Sequence, residues 1–237
     1  MLVEDELGLY VVADGMGGHL GGQTASSLAV ASLRDGVSAH VDEMRAGAGV
    51  EPLESSPVPR LLADAVREAC GIIYKRAQED SELQGMGTTV TTLWVGADRA
   101  FVAHVGDSRC YLQRGDRVIQ VTDDHSLVNE QMKAGLISRD EARSSRLKNI
   151  ITRSVGFEKD VAVDTFALPL TAGDRLLMCS DGLANFVDDT EIGLALSTLT
   201  LAEVPAKMVE LANSRGGDDN ITVVCVAVEG DDASASD

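Results

Sequence analysis

Two kinds of apolar periodicity divide this chain. From Gly21 to about His40, and again from about Arg60 to Glu79, apolar residues recur every three or four positions. Val30, Leu33 and Val37 mark the first stripe and Leu62, Val66, Ala69 and Ile73 the second, so each stretch is predicted to be a helix with one buried face. Short runs rich in branched aliphatic residues make up most of the remainder: Leu9 to Ala13, Thr88 to Val95, Ala100 to Val105, Cys110 to Gln113, Val118 to Val121, Val161 to Leu168, Arg175 to Cys179 and Ile221 to Val228. These read as strands. Several follow one another too closely for helical crossovers, which implies antiparallel hairpins; Arg114-Gly115-Asp116 is one such turn. Residues 45 to 59 hold three of the five prolines and read as an irregular surface loop. Asp124 to about Arg143 reads as helix and loop. Asp188 with Glu191 has the pattern of a capping box opening a helix through Leu196, and Pro205 fits the first turn of another that buries Val204, Met208 and Leu211.

With no internal repeat and no convincing linker, this mixture implies one α+β domain in which antiparallel sheets pack together with helices outside. The domain is expected to span residues 1–230, followed by a disordered tail over 231–237. A length of 237 residues and an apolar fraction of 44% support a sizeable core, filled mainly by aliphatic side chains because aromatic residues make up only 3%.

A net charge of −18 argues against nucleic acid or an anionic membrane as the main partner. The four cysteines are scattered without a C-x-x-C pair, as buried thiols in a reducing compartment would be. The N-terminal stretch carries acids where a signal peptide needs basic residues, and no apolar run is long enough to cross a bilayer. A soluble cytoplasmic protein is expected.

The candidate chemistry lies where strands begin and end. Asp14 closes the run Leu9 to Ala13 and is followed by a turn carrying Gly15, Gly17 and Gly18, whose small residues let a main-chain carbonyl face a cation. Asp181 follows Leu176 to Cys179 and precedes Gly182. Asp219 stands just before the run that starts at Ile221, and Asp107 lies between two strand-like runs. Each acid alone is an ordinary turn or loop residue. In antiparallel sheets, however, the end of one strand lies beside the start of its neighbour, so Asp14, Asp181 and Asp219 are able to meet on one rim. Carboxylates gathered in one place repel unless hard divalent cations neutralise them.

The strings ADGMGGH (13–19), GMGTT (85–89), GDSRCYL (106–112), DHSLV (124–128), ITRSVG (151–156), CSDGL (179–183) and DDNITVV (218–224) occur in the order found in bacterial PP2C-type protein phosphatases. The chain resembles that metal-dependent serine/threonine phosphatase family from about Leu7 to Val228. The resemblance implies a four-layer α-β-β-α sandwich, two antiparallel sheets flanked by helices. It also implies two Mn²⁺ or Mg²⁺ ions, with Asp14 bridging them, the Gly15 carbonyl on one, and Asp181 and Asp219 on the other. Asp107 corresponds to the ligand of a third, weaker ion that Asp181 shares. Residues 135 to 150 correspond to a flap beside the site.

The implied activity is hydrolysis of phosphoserine and phosphothreonine in proteins by a metal-bridged hydroxide, opposing a bacterial serine/threonine kinase. The expected form is a monomer. His19 is the candidate general acid, since histidine suits that role by pKa. Eukaryotic relatives carry a histidine directly after Asp-Gly, where this chain has Met16, and water on the third ion is the other possible donor. Of the remaining histidines, His125 is expected to organise a turn, His104 to sit in a strand with a local partner, and His40 to lie on the surface.

Two departures stand out. Gln23 takes the place of a usual Glu. Ahead of Leu7 there is no match to the family's phosphate-gripping arginine or its Asn-Glu-Asp string, and Glu4, Asp5 and Glu6 read instead as a solvated turn. An N-terminally shortened domain with an exposed sheet edge is therefore expected. Either the true start lies upstream, which the intact metal carboxylates favour, or the protein is genuinely shorter and grips phosphate weakly. The alternative function is a non-catalytic module that captures a phosphoprotein or partner. A metallohydrolase acting on small phosphoesters or nucleic acid is disfavoured by the charge.

Overall fold

The computed structural model describes residues 1–51, 55–96 and 98–229. The expected disordered tail lies outside the described residues. In chain order the strands are β1 (Leu2–Glu4), β2 (Leu9–Val12), β3 (Gly15–Met16), β4 (Gly87–Thr88), β5 (Val90–Val95), β6 (Arg99–Val105), β7 (Arg109–Arg114), β8 (Arg117–Gln120), β9 (Asp164–Pro169), β10 (Arg175–Cys179) and β11 (Val223–Ala227). The helices are α1 (Gly18–Gly47), α2 (Val58–Glu79), α3 (Leu127–Lys133), α4 (Arg139–Ser144), α5 (Asp181–Ala184), α6 (Asp189–Thr198) and α7 (Glu203–Ser214).

One sheet has the order β1-β2-β5-β6-β9 and the other β11-β10-β7-β8, with every pairing antiparallel. The two-residue period of each strand divides its side chains between two apolar layers. Tyr10, Val12, Leu93, Val102, Leu112, Leu176, Met178 and Val224 fill the space between the sheets. The alternate residues Leu9, Val11, Phe101, Ala103 and Val105 face α1 and α2, where they meet Leu33, Val37, Leu62, Val66 and Ile73. On the opposite side Tyr111, Leu177 and Cys179 meet Ile192, Leu196, Val204 and Met208 of α6 and α7. The molecule is thus an α-β-β-α sandwich, as expected. No helix among the described residues is long and apolar enough to cross a membrane.

Several element boundaries differ from the sequence expectation. Helix α1 starts at Gly18 and runs to Gly47, well beyond both predicted ends, so the first part of the proline-rich stretch is helical. Gly17 turns the chain into α1 at φ +99°, where a Cβ would also lie 2.8 Å from the Cα of Met86. The run Thr88 to Val95 is two strands broken at Thr89. The strand expected from Val161 starts at Asp164, and the last strand is shorter than Ile221 to Val228.

Glu4, Asp5 and Glu6 are not uniformly a solvated turn. Glu4 ends β1 and its carboxylate accepts from Arg34 Nε at 2.9 Å, while Asp5 accepts from the Tyr10 hydroxyl at 2.9 Å. The capping box of Asp188 and Glu191 forms as predicted.

Candidate metal centre

Strand register brings the acids together. In the second sheet Cys179 of β10 faces Arg109 of β7 on one side and Val223 of β11 on the other. Two residues past the end of β10 stands Asp181, two residues ahead of β7 stands Asp107, and four ahead of β11 stands Asp219. In the first sheet Val12 of β2 faces Thr91 of β5, so Asp14 is carried to the level of Thr89. All four acids therefore project from one rim of the sandwich.

The strings between the acids hold them there. Thr89 grips the backbone of Asp14 from both sides: its N–H donates to the Asp14 carbonyl at 2.8 Å, and its hydroxyl accepts the Asp14 N–H at 3.0 Å. Thr88 Oγ1 donates to the same carbonyl at 2.9 Å. The hydroxyls of Thr89 and Ser108 are 2.8 Å apart, tying the first sheet to the turn that carries Asp107. This is the function of the threonines in GMGTT and the serine in GDSR, which sequence reasoning did not assign. Asp181 is not a plain strand-end or loop acid; it opens the short helix α5 after Ser180. Ser180 Oγ accepts from Thr222 N–H at 3.0 Å and donates to the Asn220 carbonyl at 3.1 Å, bringing CSDGL against DDNITVV. A Cβ on Gly182 would lie 2.3 Å from the Asn220 carbonyl oxygen, so only glycine permits this approach and with it the nearness of Asp219.

The electrostatics are those of crowded like charges. Asp14 and Asp181 lie within hydrogen-bonding reach, and burial, then the Asp181 charge, then Asp219 push the Asp14 carboxyl well above the ordinary carboxylate range. Asp181 is likewise raised, first by burial. Burial, followed by the Asp181, Asp124 and Asp14 charges, lifts Asp107 to about 8. Lys148 is the cation that opposes this at Asp181. Among the described residues no three acidic, His or Cys side chains are drawn tightly around one point. The donor set nonetheless fits a hard divalent cation: carboxylate oxygens, incompletely neutralised by protein cations, on a shared rim.

Gly15, the expected carbonyl ligand, pairs with Thr88, and a Cβ on it would lie 1.9 Å from the Gly22 carbonyl oxygen. His19 sits exposed in the first turn of α1 and makes no hydrogen bond to the acids among the described residues.

The other histidines match their expected roles. His125 Nδ1 accepts the Gly106 N–H at 3.0 Å, which leaves Nε2–H to donate to Asp164 at 3.1 Å. Gly106 itself stands at φ +113°, where a Cβ would strike Thr89 at 2.6 Å. His104 is fully buried between the Thr91 hydroxyl and the Asp123 carbonyl, and His40 is on the surface. Burial first, then neighbouring His125, depresses His104 to about 3; burial also lowers His125.

The unfolded chain therefore binds protons that the folded imidazoles refuse. Their contribution to stability, complete above about pH 6.5, is lost as the pH falls toward 3. An NMR titration should find the His104 ring neutral down to pH 5; a ring already protonated there contradicts this account of the buried pair.

Comparison with known proteins follows the same lines. The sequence profile of the protein phosphatase 2C family matches residues 2–221. The chain is 40% identical over 224 residues to the serine/threonine phosphatase stp of Listeria innocua serovar 6a, covering 94% of this chain and 85% of that protein. Its structure resembles the serine/threonine phosphatase PstP/Ppp of Mycobacterium tuberculosis with a TM-score of 0.82 at 35% identity, covering 94% and 88% of the two chains. The catalytic domain of PstP in complex with two manganese ions superposes with a TM-score of 0.79 at 36% identity over the same shares.

Proposed function

The chain belongs to the protein phosphatase 2C family and is a serine/threonine protein phosphatase, and from that premise we propose that its acid rim is the catalytic metal centre. In this reading Asp14 would serve both of two divalent cations, the Gly15 carbonyl would help hold one of them, and Asp181 and Asp219 would hold the other. Asp107 and Asp181 share a third, more weakly held ion. The family is metal-dependent and the PstP complex holds manganese; either Mn²⁺ or Mg²⁺ suits these oxygen donors. Bound there, the ions supply an activated water at neutral pH and neutralise the phosphoryl group.

The observation that carries the assignment is the approach of Asp14 to Asp181, with Asp219 acting on both, on a rim where burial disfavours the charges of Asp14 and Asp181. The chain's own part in the reaction is positional. Thr88 and Thr89 fix Asp14, the Ser180–Thr222 contact fixes Asp181 beside Asp219, and His19 stands on α1 as the candidate proton donor to the leaving seryl or threonyl oxygen. Phosphorylated proteins are the substrates, and a serine/threonine kinase in the cytoplasm is the enzyme opposed. The protein acts as a monomeric single domain over 1–230. The phosphatase activity named for its relatives weighs against a non-catalytic binding module.

The test is release of inorganic phosphate from a phosphothreonine peptide by the purified chain with Mn²⁺. Metal-dependent turnover is expected, and none at any Mn²⁺ concentration would refute the assignment. In the same assay Asp107→Asn should move the Mn²⁺ dependence to about tenfold higher concentration by removing one charged ligand. An unaltered metal dependence would remove Asp107 from the site.

A further inference from the structure

A cavity of about 610 Å³ is lined by Asp107 and Asp181, by Arg139 and Ala142 of α4, and by Phe186 and Val187. Helix α4 is poorly anchored for a wall. It is a six-residue helix that buries only Ala142, and its capping box, Ser138 with Glu141, is internal to the segment. Among the described residues, segment 135–148 makes one side-chain hydrogen bond to the rest of the protein, from Arg139 to Asp189 at the start of α6.

Asp189 is not a stray surface acid. It is half-buried, and its other oxygen accepts from the Tyr111 hydroxyl at 3.2 Å. Tyr111 is fully buried and accepts in turn from Arg109 at 3.2 Å. Arg109 holds Asp124 through both its Nε and its terminal nitrogen. A polar chain thus runs from α4 through the second sheet to Arg109, two residues from Asp107.

We propose that Arg139 is a positioning residue whose ion pair with Asp189 clasps α4 across the cavity, making the wall against which the polypeptide flanking a phosphorylated residue is held. The inference rests on the phosphatase reading and concerns how protein substrates bind, leaving the attack on phosphorus to the acid rim. An exposed ion pair contributes little to global stability. Here it is the one side-chain hydrogen bond, among the described residues, between the segment and the rest of the protein, beside the Lys148 ammonium 5.9 Å from the Phe186 ring centre, so its loss should register in substrate binding more than in folding.

The experiment compares Arg139→Glu, Asp189→Lys and the exchanged pair Arg139→Glu/Asp189→Lys, each with Mn²⁺, on a phosphothreonine peptide and on p-nitrophenyl phosphate. Arg139→Glu should raise KM for the peptide about fivefold, with kcat and the small-ester kinetics within twofold of the parent. The exchanged pair should recover most of the peptide KM. An unchanged peptide KM, an equal rise for both substrates, or no recovery on exchange would overturn the clasp. Hydrogen exchange across residues 139–144 separates this from a failure of the phosphatase reading. Protection lost in Arg139→Glu and regained in the exchanged pair upholds the clasp even if no phosphate is released, and protection that never changes refutes it.

Discussion

Asp14→Asn is expected to lower kcat/KM on a phosphothreonine peptide by on the order of 10³ or more, while the metal-free protein melts no lower than the parent. Both halves follow from the same geometry. Asp14 stands against Asp181 and within the field of Asp219, so without cations its charge opposes folding, and an amide of the same shape relieves that repulsion. Its backbone bonds to Thr88 and Thr89 do not involve the carboxylate and survive the substitution. With Mn²⁺ the order reverses. A cation bound only by the folded protein at about a hundredfold above its Kd stabilises by about 2.7 kcal/mol, and the variant should lose most of that gain. Thermal melts with and without Mn²⁺, run beside the phosphate assay, read both effects. Activity within tenfold of the parent would rule out Asp14 as the bridging group, and a lower metal-free melting temperature would show that the carboxylate is structural.

The second large effect is expected from the smallest change. A Cβ on Gly15 would stand 1.9 Å from the carbonyl oxygen of Gly22, a distance no real packing tolerates, and the obstacle is helix backbone rather than a flexible side chain. Gly15→Ala must therefore push the turn of α1 that carries Gly22 away from β3. Overpacking of this kind costs about 2–3 kcal/mol, a fall of roughly 5–10 °C in melting temperature for a domain of this size. Because Gly15 adjoins Asp14 and itself carries the proposed carbonyl ligand, activity should drop about a hundredfold as well. Gly15→Ala melting like the parent would mean that α1 yields more easily than its contacts suggest. Full activity in a destabilised protein would detach the Gly15 carbonyl from the metal centre.

Much of this was legible in the one-dimensional pattern. Strand residues such as Leu176 to Cys179 are apolar on both faces because each face meets a different layer, and that unbroken run identified β10 to the residue. The acids beside strand ends were likewise visible as Asp-Gly and Asp-Asn punctuation, and the order of the strings pointed to the family. Less visible were the extent of α1, whose glycine-rich start lacks a side-chain cap, and the pairing of Leu2–Glu4 with β2, too short for periodicity to register.

What the sequence by itself determined was which residues are apolar, at what period, and where the acids and glycines interrupt them; local sterics and solvation are enough for that. What only the tertiary structure decided was which acids share a rim, and that Thr89, Ser108, Ser180 and Asn220 hold them there. It also decided that Arg139 reaches Asp189. Those pairs lie tens of residues apart, and no local preference encodes them. Register between neighbouring strands and the packing of one sheet on the other set their distance, so the chemistry of the rim exists only once both sheets have formed.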